Sequence, residues 1–181
     1  SSGRFTTTLF FLVGKLLWSE STTPFHLTLI VVNCLTVFVL AWALFEIGVD
    51  WRIAATTGII FLFNVSHYEV VYWLSCLSYL GCMTFGCLAM VHYWRYMVRQ
   101  VEQGLLYCSL LILVAVSFHA SAIIFVFLGG YFALRRGAPT SHVLKTIWIP
   151  LLLCVGYTTL IYLVYSNHPQ NRNVAQIDEI L

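Results

Sequence analysis

Stretches of about 20 apolar residues recur along this chain, and they constrain its fold more than any other feature. An α-helix of that length crosses a hydrocarbon layer about 30 Å thick. The chain is 60% hydrophobic and only 9% charged, with a mean hydropathy of +0.88, whereas soluble domains carry about 25% charged residues. Backbone polar groups in lipid must pair within their own segment, so we expect the apolar stretches to be helices.

The apolar segments predict an all-α polytopic transmembrane bundle, with about five to six membrane helices after an N-terminal interfacial helix. Residues 5–18 are too short to span, are interrupted by Lys15 and end in Trp18, as interfacial helices often do. The later apolar segments are 24–46, 53–63, 70–94, 104–134 and 143–165. The segment 104–134 is too long for one straight span, so we expect two short helices with a bend near His119.

The chain shows no linker and no internal repeat, which predicts one helical membrane domain over residues 1–181. It opens with SSGRF, without an initiator methionine or a leader-like segment. We therefore expect it to be part of a longer chain whose beginning precedes Ser1.

The distribution of basic residues predicts the orientation of the bundle, because cytoplasmic loops carry an excess of Lys and Arg. Alternate threading of the spans puts the larger group on one side: Arg52, Arg95, Arg99, Arg135, Arg136 and Lys145. The smaller group lies on the other side: Arg4, Lys15 and Arg172. The first side is predicted to be cytoplasmic, so His67, His119 and the C-terminal tail are predicted to face outward.

Small residues recur at every fourth position of one span, at Ser78, Cys82 and Gly86. Such spacing lets two helices approach closely, so we predict a helix-packing face there. The six cysteines all lie in apolar runs without CxxC spacing, which predicts packing roles and no metal site. The net charge of +2 is small and scattered, so no nucleic-acid partner is predicted.

Three polar residues interrupt the apolar pattern on the predicted outer side. Glu69 begins a span, where a helix dipole stabilises a carboxylate; alternatively, Glu69 and His67 line an outward cavity that binds a polar ligand. His119 lies in an apolar context. It is either a ligand to haem iron or chlorophyll magnesium, or a hydrogen-bonding partner of a neighbouring helix.

Two stretches resemble the GT-C class of membrane glycosyltransferases, nearest to bacterial relatives of the protein mannosyltransferases. The first begins GRFTTTLFFLVGKLLW and continues through PFHLTLIVVNCLTVFVLAWAL; the second is FLFNVSHYEVVYWLSCLSYL. The residues that match the signature of that class after the first full span are His67, Glu69, Val71, Trp73, Leu74 and Ser75. The earlier span is matched by Phe25, His26, Leu27 and Asn33, and Arg4 stands where the class has an arginine.

This resemblance implies a bacterial cytoplasmic-membrane protein that binds membrane lipids and a polyprenyl-phosphate sugar at its outer face. The implied substrate-binding residues are Arg4, His67, Glu69 and His119. The class has a Ser-Lys-Glu triplet where this chain has Ser117-Phe118-His119, and its catalytic aspartate lies upstream of the arginine. No catalytic residue is therefore assigned, and the cofactor stays open. The alternative is a non-catalytic transmembrane subunit of a larger complex, such as a photosynthetic or respiratory one, with other membrane subunits as partners.

Overall fold

A computed structural model describes residues 5–18, 23–63 and 77–166 of the chain, and all regular secondary structure in those residues is helical. The helices are α1 Phe5–Trp18, α2 Thr23–Glu46, α3 Trp51–Phe63, α4 Leu77–Arg99, α5 Gly104–Phe118, α6 Ile123–Arg135 and α7 Thr140–Ser166. A 3₁₀ turn, Ala120–Ala122, joins α5 to α6. Among these helices, two are long and apolar enough to cross a membrane, α2 and α7. The sequence predicts about five to six membrane helices.

The central helix is α4, against which α2, α5 and α6 pack. Fourteen of its 23 residues are buried. Glycines make this packing close: a Cβ at Gly81 would overlap the Phe118 ring, and one at Gly86 would overlap the Phe125 ring. Because α4 faces protein on several sides, small residues serve it better than long apolar ones.

The long apolar helices α2 and α7 are peripheral. Only 28% of the most apolar window of α2 is buried inside the protein, and only 17% of that of α7. Past Tyr157, most described side chains of α7 are exposed, although they are largely apolar. These two helices therefore present apolar side chains outward rather than to a protein core.

Helices α2 and α4 run parallel. The Thr36 and Thr84 hydroxyls meet at 2.7 Å, and Glu46 at the end of α2 meets Arg95 near the end of α4. Between them, α3 folds back along α2, with Gly58 against Val37 and Ala41.

The predicted bend near His119 is confirmed, since α5 ends at Phe118 and α6 begins at Ile123. The predicted limits of α2 and α7 hold within three residues. Helix α4 continues to Arg99, five residues beyond its predicted end. In this extension, the Arg95 and Arg99 side chains fold back onto Glu46 and lie over the Trp42 and Trp94 rings.

Candidate functional site

A reversal of the chain at residues 119–122, which we call the His119 turn, brings polar groups together at the end of α5. The His119 backbone is extended, with φ −158° and ψ 135°, and its N–H donates to the Ala115 carbonyl at 3.0 Å. The Ser121 backbone N–H donates to His119 Nδ1 at 3.2 Å, and Ser121 Oγ lies 2.8 Å from the same nitrogen. A neutral imidazole whose Nδ1 accepts this bond carries its proton on Nε2, for which the described residues provide no hydrogen-bond partner.

Two side chains of α4 complete the cluster. The Tyr79 ring lies 4.6 Å from the His119 ring, centroid to centroid, and is tilted against it by 34°. Cys82 Sγ donates to the His119 carbonyl oxygen at 3.7 Å and lies 3.7 Å from Ser121 Oγ. Because Cys82 is buried while Tyr79 is exposed, the cluster has a packed side and an open side.

An apolar groove lies beside this cluster, between α2 and α4. We call it the α2–α4 groove; its volume is about 290 Å³ and it is lined by Val32, Leu35, Leu77, Gly81, Thr84, Phe85 and Phe118. Two lining residues, Gly81 and Phe118, are chain neighbours of Cys82 and His119 in the polar cluster. The groove and the cluster are therefore adjacent, and the groove is apolar whereas the cluster is polar.

A buried amide lies on α2 beside the groove. Asn33 follows the groove residue Val32, and its side chain is 5% exposed. Within the described residues, its Oδ1 has no hydrogen-bond partner. A buried acceptor without a partner costs about 1–3 kcal/mol of stability, so the Asn33 amide lowers the stability of the fold.

A second polar cluster occupies the opposite end of the bundle, which we call the basic end. Glu46 Oε1 lies 3.0 Å from Arg95 Nη2 and 2.7 Å from Arg99 Nη1. Arg95 Nε donates to the same oxygen at 3.0 Å. At the end of α6, Arg136 Nη2 donates to the Gly48 carbonyl at 2.7 Å. These contacts join the ends of α2, α4 and α6.

The two clusters are separated along α4 by the 13 residues from Cys82 to Arg95. At 1.5 Å per residue, that separation is about 20 Å. Helix α2 runs parallel to α4, and its start at Thr23 lies 13 residues before Thr36, which pairs with Thr84. The helix therefore continues about 15 Å beyond the level of the His119 turn. The turn lies part-way along the long helices rather than level with their ends.

The structure describes some of the predicted site residues and not others. His119 lies in the polar cluster, while Arg4, His67 and Glu69 lie outside the described residues. The predicted packing residues Ser78, Cys82 and Gly86 are all buried, and Cys82 also contacts the His119 turn.

Sequence reasoning did not select Tyr79 or Ser121 as site residues. Ser121 could have been found from the run Ser-Phe-His-Ala-Ser, in which three polar residues alternate inside an apolar segment. Tyr79 gives no comparable signal, because a tyrosine in an apolar helix usually packs or faces the membrane interface.

The polar cluster combines an imidazole, a thiol and two hydroxyls. Within the described residues, no group of three His, Cys, Asp or Glu side chains could hold a metal ion. The described carboxylates are Glu46, Asp50 and Glu102, and all three belong to the basic end. The described part of the cluster can therefore donate and accept hydrogen bonds, and a carboxylate base would have to come from elsewhere.

No family model, curated protein or solved structure matches this chain.

Proposed function

We propose that the chain is a polytopic integral membrane protein with five to six membrane helices, located in a bacterial cytoplasmic membrane. The support is the combination of apolarity and exposure in α2 and α7. A core helix of a soluble protein is apolar but buried, whereas about three quarters or more of each apolar window here lies outside the protein core. Exposed apolar surface on this scale requires lipid or a partner to cover it.

The proposed orientation puts the basic end in the cytoplasm, with the His119 turn, His67 and the C-terminal tail toward the outer side. Arg95, Arg99 and Arg136 belong to one end of the described bundle, which fits the excess of cations expected on cytoplasmic ends. In a layer about 30 Å thick, a turn about 20 Å from the arginines lies inside the membrane on its outer half.

The function that the geometry supports best is the binding of a lipid-linked sugar by a scaffold resembling the GT-C glycosyltransferases. The observation that carries it is the adjacency of the apolar α2–α4 groove to the polar His119 turn. The groove suits an apolar polyprenyl chain, and the turn offers hydrogen bonds to its polar head. Broken helices with polar residues inside a membrane commonly form substrate sites.

In this proposal, Arg4, His67 and Glu69 approach the same outer site from outside the described residues. Arginine is suited to the phosphate of such a carrier because its guanidinium forms paired, charge-assisted hydrogen bonds. Glu69 orients His67 or the acceptor, and His119 contacts the sugar head.

The second candidate is a non-catalytic subunit of a larger membrane complex. The observation that favours it is the position of the described carboxylates, all of which lie at the basic end and none beside His119. Sugar transfer requires a base to deprotonate the acceptor, and a carboxylate is the usual group. In this second case the exposed end of α7 contacts another subunit.

The test of lipid-carrier binding uses a photoreactive polyprenyl-phosphate sugar and protein reconstituted in vesicles. Leu35→Trp fills the groove, and Leu27→Trp places the same side chain elsewhere on α2, where it is exposed and outside the groove lining. We expect Leu35→Trp to lose crosslinking and Leu27→Trp to keep it. Equal crosslinking in both variants would remove the groove from the proposal.

Sugar transfer is measured separately, with Glu69→Gln and Arg4→Ala in the longest natural form of the protein. Lost transfer at normal abundance supports the site, and carrier binding without transfer in the unmutated protein favours the subunit.

Orientation is tested in a cysteine-free background. Cysteines introduced at Arg99 and Asn171 should react with an impermeant reagent from opposite sides of sealed vesicles, whereas labelling from one side would contradict the threading.

A further inference from the structure

The basic end holds more positive charge than its internal contacts neutralise. Glu46 is the carboxylate that pairs with both Arg95 and Arg99, so the three side chains carry one net positive charge. The Glu46 side chain is only 12% exposed and the Arg99 side chain is 52% exposed. The Glu46 carboxylate is therefore enclosed between the two arginines, and the positive charge that it does not neutralise lies on Arg99, whose side chain faces outward.

Indole rings support these guanidinium groups. The Arg95 guanidinium lies 5.4 Å from the Trp42 ring centre, and that of Arg99 lies 5.1 Å from the Trp94 ring centre. The Trp94 ring is only 5% exposed, so it belongs to the protein core and supports the Arg99 guanidinium from below. The Arg99 side chain itself is 52% exposed, so the guanidinium is held at the protein surface.

The other charged groups of this end do not offset the surplus. Arg52, Arg135, Arg136 and Lys145 belong to the same end, against the remaining carboxylates Asp50 and Glu102. An anion that approaches Arg99 therefore meets a positive surface. A guanidinium binds a phosphodiester through two parallel hydrogen bonds, which ammonium groups cannot reproduce.

We propose that Arg99, supported by Arg95, Glu46 and Trp94, forms a binding site for the phosphate of an anionic phospholipid at the end of the bundle opposite the His119 turn. This site rests on the membrane placement proposed above, but it does not depend on lipid-linked sugar or on catalysis. A soluble phosphate ion has the same chemistry, and the proposed position of the basic end at the membrane surface favours the lipid as its source.

The experiment uses the protein in nanodiscs of phosphatidylcholine with and without phosphatidylglycerol, and native mass spectrometry to count the lipids that remain bound. Arg99→Gln is compared with Arg52→Gln. Arg52 belongs to the same end, is exposed and lies 5.6 Å from the Trp51 ring centre, but it is not one of the two arginines that pair with Glu46. Both variants change the net charge equally.

We expect Arg99→Gln to reduce the retained phosphatidylglycerol about fivefold, because it removes a paired, charge-assisted contact with the phosphate, and Arg52→Gln to reduce it much less. Arg99→Lys, which keeps the charge and lacks the fork of donors, should retain an intermediate amount. Equal loss in the two Gln variants, or no loss in either, would overturn the site, since general electrostatic attraction would then account for lipid binding.

Two further arms separate the alternatives. Thermal stabilisation of the detergent-solubilised protein by inorganic phosphate, equal to that by phosphatidylglycerol, would overturn the assignment to lipid. Failure of the unmutated chain to enter nanodiscs would overturn the membrane placement together with this site. Normal insertion without preference for phosphatidylglycerol would overturn this site alone.

Discussion

At the basic end, Glu46 joins residues that are 49 and 53 positions away along the chain, whereas His119 finds its closest polar partner two residues away in Ser121. The first arrangement ties helices together, so it contributes to the stability of the bundle. The second is satisfied mainly by its own turn and leaves one ring nitrogen for a ligand. The polar cluster at the basic end is therefore structural, whereas the side chains of the His119 turn can be substituted without unfolding the protein.

The strongest test of this difference is Glu46→Gln. The change leaves two arginines beside a neutral amide at a largely buried position, and we expect a loss of about 2 kcal/mol in the free energy of unfolding. Asp50→Asn is the matched control, because the Asp50 side chain at the same end accepts from the Arg52 backbone N–H at 2.8 Å and forms no ion pair among the described residues. A loss no larger for Glu46→Gln than for Asp50→Asn, measured by chemical unfolding in mild detergent, would show that the shared carboxylate does not tie the helices.

The next effect concerns Gly48, which has φ +91° and supports Arg136 at the end of α6. A Cβ at Gly48 would overlap the Arg136 guanidinium, while one at Gly137, with φ +86°, would have open space. Both Ala substitutions place a side chain on a backbone in the left-handed conformation, which costs about 1 kcal/mol of stability. We expect Gly48→Ala to lower the free energy of unfolding by about 1 kcal/mol more than Gly137→Ala. Equal losses would mean that the Arg136 side chain moves aside without cost.

Asn33→Leu should act in the opposite direction. Removing a buried acceptor that has no partner among the described residues should raise the free energy of unfolding by about 1 kcal/mol. If the amide serves a ligand in the neighbouring groove, the same variant should lose crosslinking to the polyprenyl-phosphate probe. Higher stability with unchanged crosslinking would assign Asn33 no role in binding.

The smallest expected effect is that of Ser121→Ala at the His119 turn. The hydroxyl at 2.8 Å from Nδ1 is lost, but the backbone N–H of residue 121 still donates to that nitrogen. Because the residue is exposed, we expect a change within about 0.5 kcal/mol in the free energy of unfolding. A loss as large as that in Glu46→Gln would remove the distinction between the two ends.

Sequence reasoning could locate the helices because each is marked by its own apolar run and by local interruptions. The break at His119 was predictable, since an apolar run of 31 residues with three polar positions suits two short helices better than one. The partners of Glu46 were not predictable, because the pairing of α2 with α4 depends on how whole helices pack. Apolar helices also give little indication of which face meets protein, and only the small-residue spacing from Ser78 to Gly86 carried that information.

The site could be predicted only in part for the same reason. His119 stood out as a lone imidazole among apolar residues, whereas Tyr79 joins it only because α4 lies alongside the turn. The groove consists of ordinary apolar side chains, and its existence depends on the distance between α2 and α4, which no local pattern encodes.

The lengths of α5 and α6 have a consequence for how the protein is made. At 15 and 13 residues, each is shorter than the roughly 20 residues that one helix needs to stay in a bilayer by itself. With the membrane placement proposed above, we expect the two helices to leave the translocon together, as a hairpin, with the polar groups of their connection already facing α4. Helix α4 is synthesised before α5 and α6, so its buried glycines and Cys82 are already present when the hairpin emerges from the ribosome. The contacts between the hairpin and α4 can therefore form as soon as the hairpin has been made.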